Sequence, residues 1–158
     1  MKVLCLELLL VAAHYAEYTP PDYCPQISLA PAAEIRRYVC PGRQCPTIGL
    51  YIYDKDRLLI QKGRKLSDIP TRSIVLHELV HFLQDVAGET RDSSCEATLL
   101  RERVAFGAQE QYLRSNGIDA RLEHNMAYYS CDEEPGWCPA ARGGACGITG
   151  SRLSRRIA

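Results

Sequence analysis

His77-Glu78-Leu79-Val80-His81 lies inside a mostly apolar stretch at residues 73–87. Residues four apart lie on the same face of a helix, so both imidazoles can point at one ion. Glu78 follows the first histidine and can act as a base toward a water bound to that ion. Two nitrogen ligands beside a carboxylate are typical of zinc hydrolases. The stretch therefore predicts a helix that carries a metal site.

The helix around this motif is predicted to run from about residue 71 to residue 87 and to end at Gly88. Its apolar residues lie on nearly all sides, which indicates a helix buried in its domain. Two histidines and a glutamate inside it need partners, because unpaired buried polar groups are costly. A metal with a bound water satisfies all three. The alternative is a pair of core histidines that bond to neighbours, but the i, i+4 spacing around Glu78 favours the metal.

The third ligand of the predicted metal is sought on the next helix, at about residues 94–115. A catalytic zinc normally takes three protein ligands and leaves a fourth position for water. Glu96 has another explanation, because it fits a capping box that begins at Ser93 and the helix dipole favours a negative charge there. Glu102 lies on or beside the apolar stripe of its helix, where a carboxylate requires a cation. Glu102 is therefore the predicted ligand.

The rest of the chain predicts a small α+β domain. Its 158 residues are enough for one domain with a core, and 46% hydrophobic and 24% charged residues are typical of globular proteins. Helices are predicted at 3–13 and 31–38 and strands at 26–29, 47–53 and 57–61, the last two as a hairpin. Residues 1–141 are interpreted as one domain, in which a short antiparallel or mixed sheet packs on the motif helix and on the Glu102 helix. The Cys-rich end is expected to be irregular, and the Gly-rich, basic tail at 142–158 flexible.

The net charge and the N-terminal segment limit the classes of partner that the chain is expected to bind. Lys plus Arg and Asp plus Glu both total 19, so no global field favours nucleic acid or an anionic membrane. The apolar run at residues 3–13 is too short to span a bilayer. It has features of a signal peptide, but Glu7 lies in its middle, and a first helix of the domain is favoured. The oligomeric state stays open.

Eight cysteines are many for this length. Two local pairs lie in turn-rich segments: Cys40 with Cys45, and Cys131 with Cys138. Disulfides are favoured there over a second zinc, because no C-x2-C spacing occurs. Cys5 and Cys95 lie in predicted helices and are interpreted as small buried apolar residues. Cysteine usage slightly favours a periplasmic or secreted protein, and a cytoplasmic location stays open.

His77-Glu78-x-x-His81, followed by a helix with Glu102-x-x-Ala105, resembles the gluzincin metallopeptidases. The most similar group is the small bacterial minimal gluzincins, some of which have no known function. The resemblance covers residues 48–84 and 102–113. It implies a zincin-like domain with one zinc ion per chain and His77, His81 and Glu102 as ligands. It also implies that Glu78 activates the zinc-bound water to hydrolyse a peptide or protein substrate.

Several roles stay open. A tyrosine or histidine usually helps to hold the oxyanion, and the candidates are His124, Tyr128 and Tyr129. One β segment is expected to form a sheet edge beside the motif helix, where an extended peptide could pair. Gln84 could orient His81, although an exposed helix glutamine is the plainer interpretation. The alternative function is a non-catalytic, zinc-stabilised binding module on a peptidase-like fold. An intact Glu78 favours the enzyme, since a structural site needs no base.

Overall fold

The computed structural model describes residues 2–39, 41, 47–122 and 131. In these ranges the chain forms four α-helices and three strands, which confirms the predicted α+β class. They are α1 (Lys2–Ala16), β1 (Gln26–Ala30), α2 (Ala32–Val39), β2 (Gly49–Ile52), β3 (Arg57–Gln61), α3 (Ile69–Val86) and α4 (Cys95–Ser115). The predicted domain boundary at residue 141 and the tail at 142–158 lie outside the described residues.

The three strands form one mixed sheet in the order β1-β3-β2. β3 pairs in parallel with β1 and antiparallel with β2, and the latter pair is the predicted hairpin. Its turn includes Asp56, which adopts a left-handed conformation with φ of 44°. β3 is the central strand and is buried on both faces, as its apolar sequence requires. β2 forms one edge and lies against α3, as expected for one of the two β segments.

Side chains alternate between the two faces of the sheet and divide the core accordingly. On one face, Tyr51, Leu58 and Ile60 join the main core with α1, α3 and α4. On the other face, Leu50 and Leu59 join a smaller cluster with α2. The motif helix α3 is thus enclosed by α1, α4 and the sheet. This enclosure explains why apolar residues occur nearly all round it.

α1 is an internal helix of the domain, in agreement with the favoured interpretation. Its buried residues are Cys5, Leu8, Leu9, Ala12 and Ala13, which recur at helical spacing. Glu7, the charge inside the apolar run, forms an ion pair with Arg72 of α3. Among the described residues, no helix has the length and apolarity needed to cross a membrane.

Two disulfides correct the interpretation of the cysteines. Cys5 is bonded to Cys24, and Cys95 is bonded to Cys131, so neither helical cysteine is a free apolar residue. Cys131 therefore does not pair with Cys138. Both bonds join a helix to a segment distant in sequence, which local spacing does not reveal. The remaining cysteines lie outside the described residues: Cys40, Cys45, Cys138 and Cys146.

Candidate metal centre

The first part of the candidate site is the middle of α3. The helix has Pro70 in its first turn, where the missing N–H needs no partner, and it is followed by Gly88 with φ of 80°. Because α3 is enclosed by other elements, the motif residues lie in the interior. His77 and His81 are each 5% exposed, and Glu78 is 3% exposed.

The second part of the site comes from α4. Its N-cap is Ser94, whose hydroxyl accepts a hydrogen bond from Ala97 N–H at 3.2 Å. The capping box predicted from Ser93 is therefore wrong, and Glu96 is an exposed residue of the first turn. Glu102 lies further along the helix and is 3% exposed. The structure thus brings Glu102, and not Glu96, to the two histidines.

The three side chains meet at one point. Glu102 Oε2 lies 3.4 Å from His77 Nε2, and Glu102 Oε1 lies 3.4 Å from His81 Nε2. The two Nε2 atoms are 3.2 Å apart. An ion bound tetrahedrally at about 2.1 Å holds its ligand atoms about 3.4 Å apart. The distances are near that spacing, although the two oxygens of Glu102 face different histidines, and the group of His77, His81 and Glu102 could hold a metal ion.

The hydrogen bonding of Glu102 also fits a cation. Glu102 Oε2 is buried and has no hydrogen-bond partner among the residues that the structure describes. The two ion pairs of Glu102 in this part of the chain are with His77 and His81. A buried carboxylate is costly unless its charge is balanced. A metal ion between the three side chains would provide that balance.

Opposing charges shift the pKa values of the pair formed by His81 and Glu102. Burial lowers the pKa of His81, but Glu102, Glu78 and Gln84 together outweigh burial and raise that pKa to about 9. Burial raises the pKa of Glu102, but His81 and His77 together outweigh burial and lower that pKa to about 2. Without an ion, a proton on His81 therefore balances the carboxylate. A metal would replace that proton, as metal binding to histidine generally does.

Glu78 lies beside this group but is not part of it. Its Oε2 accepts a hydrogen bond from Tyr51 N–H of β2 at 2.8 Å. Burial raises the pKa of Glu78, and the charges of His77 and His81 oppose that shift. A carboxylate with a raised pKa is a better proton acceptor near neutral pH. Its position and its pKa therefore suit a base.

The edge strand β2 serves the site in a way that was not expected. All four of its residues are buried, and the outward N–H of Tyr51 is already bonded to Glu78. The predicted edge is present, but at Tyr51 it positions the carboxylate and has no N–H left for an added peptide.

Gly49 of β2 is a site residue that the sequence reasoning missed. An added Cβ there would lie 2.8 Å from Glu78 Oε1 and 2.8 Å from Ile74 Cγ2. Only glycine allows this close approach of strand and helix. A glycine inside a predicted strand is itself the signal, since it often marks such an approach.

Replacing Gly49 with alanine should lower the free energy of unfolding by about 1–3 kcal/mol, because overpacking forces the neighbours apart. Urea unfolding followed by circular dichroism measures this. Gly107→Ala is the matched control, since a Cβ at Gly107 in α4 meets nothing within 4 Å. That change should raise stability by up to about 1 kcal/mol through helix propensity. Equal stability of Gly49→Ala and the unmodified protein would contradict the packing argument.

Two further residues lie near the group. Gln84 is fully buried and contacts His81, so the interpretation as an exposed glutamine is wrong. Burial, followed by the charge of Glu102, raises the pKa of Tyr53 above its usual range. Tyr53 packs edge to face on Tyr51, with ring centroids 5.2 Å apart. The oxyanion candidates lie outside the described residues: His124, Tyr128 and Tyr129.

No protein-family model, curated protein or solved structure matches this chain. What the chain itself shows is a buried His-His-Glu group, built by two consecutive helices, with a second buried glutamate held by the sheet edge.

Proposed function

We propose that this protein is a zinc-dependent metallopeptidase with a minimal gluzincin-type, zincin-like fold. One observation carries the proposal. His77, His81 and Glu102 converge within 4.8 Å of one another, while Glu78 lies beside them, held by a different bond. Three candidate ligands and a separate base are what metal-assisted hydrolysis of an amide requires. The described residues contribute three ligands to the group, whereas a structural zinc site usually has four protein ligands.

Zinc is the proposed ion because of the donor set. Two imidazole nitrogens and one carboxylate oxygen suit zinc and are typical of catalytic sites with three protein ligands. His77, His81 and Glu102 would hold one ion per chain. When bound, zinc lowers the pKa of a water molecule and polarises a carbonyl oxygen.

Glu78 is the proposed base. It would take a proton from the attacking water and pass it to the leaving amine. The hydrogen bond from Tyr51 N–H fixes Oε2, which leaves Oε1 as the atom that exchanges the proton. The enclosed position of the motif shields the group from bulk water, and this strengthens electrostatic interactions there. The proposed substrate is a peptide or an unstructured protein segment.

The proposal is tested by metal content and hydrolysis together. Protein purified without chelator should contain about one zinc per chain by elemental analysis, as the three-ligand group predicts. It should cleave a labelled unstructured protein, lose that activity with a chelator and regain it with zinc. Protein that takes up no zinc would contradict the proposed site. Zinc binding without cleavage would favour the alternative, a zinc-stabilised binding module.

A further inference from the structure

We propose that Gln84 is a positioning residue that fixes which nitrogen of His81 faces the metal. The inference rests on the proposed metal site and adds a residue to it. Gln84 lies one turn after His81 on α3 and is fully buried. One of its hydrogen bonds reaches the histidine ring and another reaches the backbone of α4.

The bond to α4 sets the orientation of the amide. Gln84 Nε2 donates to the carbonyl oxygen of Arg101 at 2.9 Å. A backbone carbonyl can only accept, so the NH2 group must be on this side. The amide oxygen is then on the opposite side, where it faces the ring of His81. The assignment of oxygen and nitrogen in Gln84 is therefore fixed by its surroundings.

The orientation of the amide in turn sets the tautomer of His81. Gln84 Oε1 lies 2.8 Å from His81 Nδ1 and can only accept. Nδ1 must therefore carry a proton. Nε2 is left as the nitrogen that can bind a metal, and it is the one that faces Glu102 at 3.4 Å. Such outer hydrogen bonds fix the ring and raise the basicity of a ligand histidine.

The backbone carbonyl that accepts the hydrogen bond from Gln84 belongs to Arg101, the residue before Glu102. Arg101 is anchored by its own side chain, which donates to the carbonyl oxygens of Glu89 and Asp92 at 2.9 and 2.8 Å. The same turn of α4 therefore supplies one candidate ligand directly and orients another through Gln84. A shift of α4 relative to α3 would disturb both at once.

His77 differs in this respect. Its Nδ1 is buried and has no hydrogen-bond partner in the described ranges, and its ring packs against Phe106 with centroids 4.6 Å apart. Packing can hold the plane of the ring but does not select a tautomer. Among the described residues of the site, a hydrogen bond therefore selects the tautomer of His81 but not that of His77.

Replacing Gln84 with leucine should weaken zinc binding by about 10- to 100-fold, the usual effect of losing an outer partner of a ligand. Competition with a chromophoric chelator measures the dissociation constant. Gln109→Leu is the matched control: Gln109 is also a buried glutamine between α3 and α4, but it donates to Ser73 Oγ at 3.1 Å. This control should leave the dissociation constant within about twofold. Gln84→Glu keeps an acceptor for His81, but its second oxygen must be protonated to face the carbonyl of Arg101, so it should restore part of the affinity.

A second readout reports on the tautomer itself. In zinc-loaded protein with ¹⁵N-labelled histidine, His81 should show a protonated Nδ1 whose hydrogen exchanges slowly with solvent. In Gln84→Leu that exchange should become fast, whereas in Gln109→Leu it should stay slow. Purely structural damage would affect both variants alike.

Three results would overturn the inference. They are zinc binding by Gln84→Leu as tight as by Gln109→Leu, His81 bound to zinc through Nδ1, and unchanged exchange in Gln84→Leu. The second needs only the unmodified protein, so it applies even if Gln84→Leu does not fold. Failure of the unmodified protein to bind zinc would instead contradict the proposed function.

Discussion

Replacing Glu78 with glutamine should reduce peptide hydrolysis by about 10²- to 10⁴-fold, the contribution of a positioned base. Glutamine has nearly the same shape, and its amide oxygen can still accept the hydrogen bond from Tyr51 N–H. It cannot take a proton from water, so the chemical step is lost. Because Glu78 is not part of the ligand group, the zinc content should stay at one per chain. Initial rates of cleavage and elemental analysis of the same sample give both quantities.

Glu110 offers a matched control for this experiment. It is a buried glutamate on α4, about two helical turns beyond Glu102, and it forms an ion pair with Arg114. Glu110→Gln also removes a buried carboxylate, but it should leave the rate of cleavage unchanged. A Glu78→Gln variant that cleaves as fast as the unmodified protein would place the base elsewhere. If zinc is bound but no substrate is cleaved, and His77→Ala unfolds the domain, the binding-module alternative gains support.

Replacing Glu102 with alanine should abolish tight zinc binding, with a loss larger than the roughly 100-fold expected for an outer partner. The change removes the only carboxylate in the described ligand group and leaves two imidazoles, too few for a catalytic zinc site. The dissociation constant is measured by chelator competition. Hydrolysis should be lost in parallel, because the ion and the activity depend on the same side chain.

Glu96→Ala is the control for Glu102→Ala. Glu96 is an exposed residue in the first turn of the same helix, so it contributes only through the helix dipole, by less than about 1 kcal/mol. Its removal should leave zinc binding unchanged. Tight zinc binding by Glu102→Ala would show that the third ligand is another residue.

Much of the fold follows from local patterns in the sequence. α3 and the β2–β3 hairpin were predicted, because the buried faces of a helix or a strand require apolar residues in a recognisable pattern along the sequence. The two disulfides among the described residues were not predicted, and one of them replaces the expected pair of Cys131 with Cys138. Cys5 reaches Cys24 and Cys95 reaches Cys131 only after the helices are packed, and spacing along the chain carries no record of that packing.

Residues of the candidate site could be predicted where a polar side chain lay among apolar ones in the sequence. Glu102 was selected because a carboxylate on a buried stripe needs a partner, and the structure places it against both histidines. Gln84 was misjudged, although the same argument applied to it: on a helix apolar all round, a glutamine is buried too. Gly49 was missed although a glycine inside a predicted strand can signal a close approach, because only the packed structure shows that Glu78 and Ile74 are the residues that approach it.

The short connection between α3 and α4 has a consequence for the order of folding. All three candidate ligands lie on two consecutive helices joined only by residues 87–94. Contacts between segments close in sequence form fast, because little loop-closure entropy is lost. The parallel pairing of β1 with β3 must instead wait for α2 and β2, which lie between them along the chain. The helical hairpin that carries the candidate ligands can therefore form before the sheet is complete, and a metal bound there would act as an early template for the rest of the domain.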